Sequence, residues 1–313
     1  MKYKITLILL FTTTLTQAQN LTQSIEQQIT NARQNESTSA IDWSNYENEA
    51  MISVITPLQA YTQDSSRSVR LKSYDLLFQI SLAVDSVQDS TADVTVQQGM
   101  ELFLRGLNDE DNGIQGFVAD RLRSFEAEMY TEDMRKLLIQ KLNPRPFYYE
   151  ELVLTLAYIN EDSSIDLIID DLRTQSNELS QMERWQAHIA LARLGEEPAL
   201  NFIVRKASEL PESEDAVYEI YPSLAFTRQK EAVDVLVELV YSDEQNCSSP
   251  DPDSNRKITC AYRILEMIAP IIQDFPVAVD EATGDLDTEN YEEALKTSRE
   301  WLNANRSVYT LIN

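Results

Sequence analysis

The chain has 313 residues, 43% of them hydrophobic and 25% charged, and a formal net charge of −26. Its 6 glycines, against an average usage of about 7%, leave too few positive-φ positions for barrels, sandwiches or glycine-looped nucleotide folds. One histidine, His188, excludes any mechanism needing two imidazoles, and the excess of acids disfavours nucleic acid and anionic lipid as partners.

In chain order, Lys2 and Lys4 precede an apolar run from Ile5 to Leu15, and Thr16-Gln17-Ala18 offers a small-residue cleavage point before Gln19. This reads as a secretory signal over residues 1–18. The run has 11 residues, short of the roughly 18–20 that a spanning helix needs. The expectation is an exported protein, periplasmic or extracellular, with no integral membrane segment after cleavage. Leu21, Ile25 and Ile29 share one helical face, which predicts a capping helix over Leu21–Arg33. With the polar linker Asn35-Glu36-Ser37-Thr38-Ser39 it makes up residues 19–44.

From residue 45 to 274 one spacing returns six times. With Arg70 as position zero, apolar or small residues follow at +4, +6, +7 and +10: Tyr74, Leu76, Leu77 and Ile80. Counting from Gln115, Tyr149, Arg184, Glu214 and Ile258 gives comparable sets, ending at Phe125, Ile159, Leu194, Leu224 and Ile268. Steps of 30 to 45 residues between these ends leave room for two helices and two turns. The preceding helices are predicted over Val96–Leu107, Met134–Leu142, Ile165–Leu172, Leu200–Ala207 and Ala232–Tyr241, with apolar residues every three or four positions. Gly195 reads as a helix C-cap. Helical hairpins of this kind cannot bury an apolar face alone and must stack on their neighbours. The prediction is an all-α, right-handed α-α superhelix of about six hairpins. Residues 275–313 form a C-terminal cap with a helix over Asn290–Asn303.

Leu58 to Ile80, with Pro57 in the first helix, Asp64 in the turn and Val69-Arg70 opening the second helix, resembles a HEAT repeat. So does Arg184 to Gly195, followed by Glu196-Glu197-Pro198. The resemblance covers Asn45 to Asp274, although Gln115 stands where the second repeat would carry arginine. It implies an α-solenoid with a binding surface, and it brings no catalytic residue.

Cys247 and Cys260 flank a turn-rich segment, and export makes a disulfide between them the expected state. Asp251, Asp253 and Asn255 alternate like ligands of a calcium loop, but Arg256 occupies the glycine position and Tyr262 the twelfth. They stand as the metal candidate, and no cofactor is expected. The aromatic run Phe147, Tyr148 and Tyr149, together with Tyr218, forms the candidate recognition set, weighed against core packing. Acidic groups such as Asp109-Glu110-Asp111, Glu214 and Asp243 fall in turns or at helix starts, where they cap amides. Arg121, Arg123, Arg135, Lys136, Lys141 and Arg145 make the most basic stretch, interleaved with acids.

The expected function is a non-enzymatic binding scaffold for a protein or peptide, with a basic partner favoured. The alternatives are a carboxylate-dependent carbohydrate-active enzyme on a helical toroid and a calcium-dependent structural protein of the envelope.

Overall fold

The structure is a computed structural model. It describes residues 2–37, 39–83, 90–174, 178–249, 256–280 and 283–312, with backbone alone over 2–15 and 90–95. Among these residues the fold is all-α, apart from one two-stranded ribbon and two isolated bridges. Two compact units divide the chain, Met1–Leu152 and Val153–Asn313. The division falls within the stretch expected as one repeat array.

The first unit contains α1 (Lys2–Gln34), α2 (Asn48–Tyr61), α3 (Arg67–Ala83), α4 (Ser90–Leu104), α5 (Asn112–Asp120), α6 (Glu132–Lys141) and the start of α7 (Tyr149–Tyr158). Helix α1 runs unbroken through the expected cleavage point. It buries Leu21, Ile25 and Ile29 against α2 and α3. Helices α2 and α3 form a hairpin, and α4 leads through a short 3-10 turn into α5. First helix packs on first helix (α2 on α4), and second on second (α3 on α5).

The second unit repeats the scheme with α8 (Ile165–Thr174), α9 (Gln181–Arg193), α10 (Glu197–Ser208), α11 (Glu214–Glu219), α12 (Tyr221–Phe226), α13 (Lys230–Leu239) and α14 (Ala261–Ile268). Helices α9, α12 and α14 stack in order, and α10 stacks on α13. The closing helix α15 (Tyr291–Asn305) packs on α14 and is capped by Asn290, which accepts from the Glu293 amide. Arg299 fastens it, donating to the carbonyls of Val240 and Ser242 and pairing with Asp243.

Local chemistry sets the helix ends. Asp111, Thr131, Ser180 and Ser213 each accept a backbone N–H of the first turn, and Ser180 completes a reciprocal box with Glu183. Each such cap stabilises by about 1 kcal/mol. Helices α1, α7 and α9 end on a positive-φ residue, Asn35, Asn160 and Gly195 respectively. In each case the next amide reaches back to the carbonyl five residues earlier, which satisfies the last turn.

The repeat offset +7 is buried in every period: Leu77, Leu122, Leu156, Leu191, Tyr221 and Leu265. Offset +4 fails in the fifth, where Tyr218 is 53% exposed. Pro222 has no N–H to return to the Tyr218 carbonyl and its ring crowds that turn. The second helix therefore breaks at Ile220 into α11 and α12, and Tyr218 leaves the inward register.

Cys247 and Cys260 are disulfide-bonded with Cα atoms 5.1 Å apart. The bond closes the ribbon in which β1 (Cys247–Ser248) pairs antiparallel with β2 (Lys257–Ile258). Glu214 anchors the ribbon, accepting from the Ser248 amide and hydroxyl and from Lys257.

Candidate functional site

The repeat resemblance singles out an aspartate and an arginine in the turns. Arg70 is buried, and its Nε and Nη2 bind the two oxygens of Asp109 at 2.9 and 3.0 Å. Its Nη1 donates to the carbonyl of Asp64 at 3.0 Å. The Asp64 carboxylate instead pairs with Arg33 and caps the Ser66 amide. Arg33 and that amide hold it below the usual carboxylate range. Arg70 thus ties its own turn to the next one. Gln115, at the equivalent place, donates to the Asp109 carbonyl, and Arg184 to the carbonyl of Leu179.

The acidic and basic stretches resolve into similar structural uses. Asp111 caps α5 and pairs with Arg67, Asp243 with Arg299, and Asp170 with Arg173. Arg123 donates to the Glu151 carbonyl, Arg135 to those of Tyr130 and Ala127, and Lys136 pairs with Glu132. Burial pushes the Arg123 pKa down. Among the described residues no group of three or more His, Cys, Asp or Glu is placed to hold a metal. Asp251, Asp253 and Asn255 lie outside the described residues.

His188 is half-buried and its ring lies 4.1 Å from that of Phe202, tilted by 30°. Among the described residues its buried Nδ1 has no hydrogen-bond partner. Burial lowers its pKa, which favours the neutral imidazole.

The aromatic recognition set divides. Tyr148 and Tyr149 are buried core residues, which corrects their placement in a surface patch. The reason is that Tyr149 opens α7 with its side chain inward, while Tyr148 packs just ahead of it and donates to the Leu107 carbonyl. Burial raises the Tyr148 pKa to about 12. Phe147 keeps the surface position, 58% exposed and edge-on to Tyr148 at 5.2 Å. Tyr218 is exposed in the second unit by the α11–α12 break.

In the first unit, Phe147 stands beside α5, the helix that carries Phe117. It lies over Gly116, where an added Cβ would meet its ring at 3.4 Å. The next residue, Phe117, carries the Arg121 guanidinium 3.9 Å from its ring centroid, with Phe78 5.8 Å away on α3. Phe78 and Phe117 rest on Phe103, and Phe78 also on Phe125, at centroid distances of 5.5 to 6.3 Å. Beside Phe117 opens a cleft of about 550 Å³, walled by Arg67, Leu71, Lys72 and Asp75 of α3 and by the end of α1. Lys72 and Asp75 are paired at 2.8 Å. A rigid aromatic base with paired charges around it can hold apolar and cationic side chains of a partner. The repeat spacing does not mark Phe78 or Phe117, although Phe78 adjoins the predicted inward Leu77 and Phe117 lies two positions before the predicted inward Ala119.

No protein-family model and no curated protein matches the chain. The functional reading rests on these side chains.

Proposed function

We propose that the protein is an exported, non-enzymatic scaffold of HEAT-like helical hairpins that binds a partner protein or peptide on the second-helix face of its first unit. The right-handed superhelix implied by the resemblance belongs to the same reading, as does a periplasmic or extracellular location. The observation that carries it is Phe147, a large aromatic left 58% exposed over Gly116 of α5, the helix whose Phe117 holds the Arg121 guanidinium on its ring. Exposed aromatics backed by rigid neighbours make good interface anchors, because little side-chain entropy remains to be lost on binding. The formal charge of −26 favours a basic partner and salt-sensitive association. Carboxylate-dependent hydrolysis has less support, since Asp109, Asp111, Glu214 and Asp243 are engaged in holding turns and the ribbon.

The test is crosslinking capture with the mature chain from envelope and medium fractions, at low and high salt. One protein recovered in near-equal amount, and lost at high salt, is the expected outcome. Recovery of nothing reproducible would remove the proposal.

A further inference from the structure

In the second unit of this acidic chain, two arginines stand together, and among the described residues no carboxylate forms an ion pair with either. Arg193 closes α9; its Nε donates to the Ala157 carbonyl at 3.2 Å and its Nη1 to that of Phe226. Arg228 donates through Nη1 to the Ala225 carbonyl at 3.0 Å. Ala225 and Phe226 are consecutive, so both guanidiniums meet at the C-terminal end of α12. The Arg193 guanidinium also lies 4.6 Å from the Phe226 ring centroid and 5.8 Å from that of Tyr158. Aromatic faces of this kind hold a guanidinium by its plane, so the donors not spent on carbonyls, Nη2 for Arg193, stay available.

Carbonyls at a helix end attract a cation, and that accounts for one arginine at this place. It does not account for a second beside it. Burial and the charge of Arg228 bring the Arg193 pKa down to about 10. Nor does it account for the Arg228 Nε, which is buried without a hydrogen-bond partner among the described residues. The backbone adds a third observation. Four non-glycine residues among those described have positive φ; three are Asn35, Asn160 and Asp274, types that tolerate it. The fourth is Arg228, at φ 55°. An arginine held in a conformation suited to asparagine or glycine is strained.

We infer that Arg193 and Arg228 form a binding site for an oxyanion, a carboxylate or a phosphate group, gripped by the two guanidiniums beside Phe226. Paired forks of N–H donors match the planar or tetrahedral oxygens of such groups. Bound charge would relieve the repulsion between the two cations and give the Arg228 Nε its acceptor.

The experiment titrates sodium phosphate and, separately, sodium acetate into the intact chain against sodium chloride at matched ionic strength, following thermal unfolding. The expected result is a saturable rise in melting temperature of about 2 °C or more above the chloride control. The anion that produces it identifies the source, phosphate ester or carboxylate. Arg228→Asn suits the positive φ, so it is expected to melt no lower than wild type in chloride and to lose the rise. Arg193→Gln, read in the same titration, is expected to lose it too and serves if the first variant does not fold. A wild type that responds to neither anion overturns the inference, as does a folded variant that keeps the full rise. Only small anions are used, so the outcome is separate from that of partner capture.

Discussion

Asp109→Ala would leave the Arg70 guanidinium buried without its bidentate acceptor, in the turn where two successive hairpins are fastened together. The two side chains are 8% and 3% exposed, and the two contacts measure 2.9 and 3.0 Å. Removing one member of a buried pair costs about 3–5 kcal/mol, chiefly because the remaining charge stays desolvated. Part of that is recovered. Glu110 approaches Arg70 at 3.1 Å but is 83% exposed, so its compensation is screened to less than about 1 kcal/mol. The Asp64 carbonyl stays in place at 3.0 Å. The expected loss is therefore about 3 kcal/mol, or roughly 5 °C in melting temperature for a chain of 313 residues. Asp109→Asn keeps an acceptor oxygen and is expected to lose about half as much. Urea unfolding followed by far-UV circular dichroism measures both. A loss below about 0.5 kcal/mol for the alanine variant would refute the reasoning, because it would place Arg70 in the range of an ordinary surface residue.

Three further outcomes are expected. His188 has a lowered pKa in the folded state, so the unfolded chain binds its proton first and stability falls as pH drops below about 6.5. The slope is at most one proton, about 1.4 kcal/mol per pH unit. As His188 is the one imidazole of the chain, His188→Gln is expected to flatten urea unfolding between pH 6.5 and 5, and an unchanged slope would discard the assignment. Reduction of Cys247–Cys260, or Cys247→Ser with Cys260→Ser, is expected to cost about 3 kcal/mol through loop entropy; calorimetry with and without reductant reads it. Gly195→Ala puts a side chain at φ 90° with no atom within 4 Å of the new Cβ, so a loss of about 1 kcal/mol, seen in denaturant midpoints, is expected from backbone strain alone.

The hairpins were legible because burial of a helical face leaves a spacing that survives changes of residue type. Leucine, with one tyrosine, fills the +7 place in all six periods, and all six are buried. The spacing misled where a local rule overrode it, as Pro222 does in turning Tyr218 outward. That signal was present in the sequence but lost to the fixed offsets. Phe147, Tyr148 and Tyr149 could not be told apart, since only Tyr149 lies in a helix and periodicity does not extend into the preceding loop. The partners of Arg70 were invisible for a different reason. Asp109 lies 39 positions away, and nothing local marks it over Glu110 or Asp111. Arg193 and Arg228 likewise meet only when α9 and α12 stack.

The central claim is that the second-helix face around Phe147 binds the partner. The most direct measurement is the affinity of the captured partner for Phe147→Ala, with Val308→Ala as the control. Val308 is 68% exposed in the second unit, so its substitution is expected to alter stability by no more than about 0.5 kcal/mol, and affinity is compared at a temperature where circular dichroism shows both variants folded. Loss of at least tenfold in affinity with Phe147→Ala, about 1.4 kcal/mol, and none with Val308→Ala is the expected result. Equal affinity of wild type and Phe147→Ala would contradict the claim.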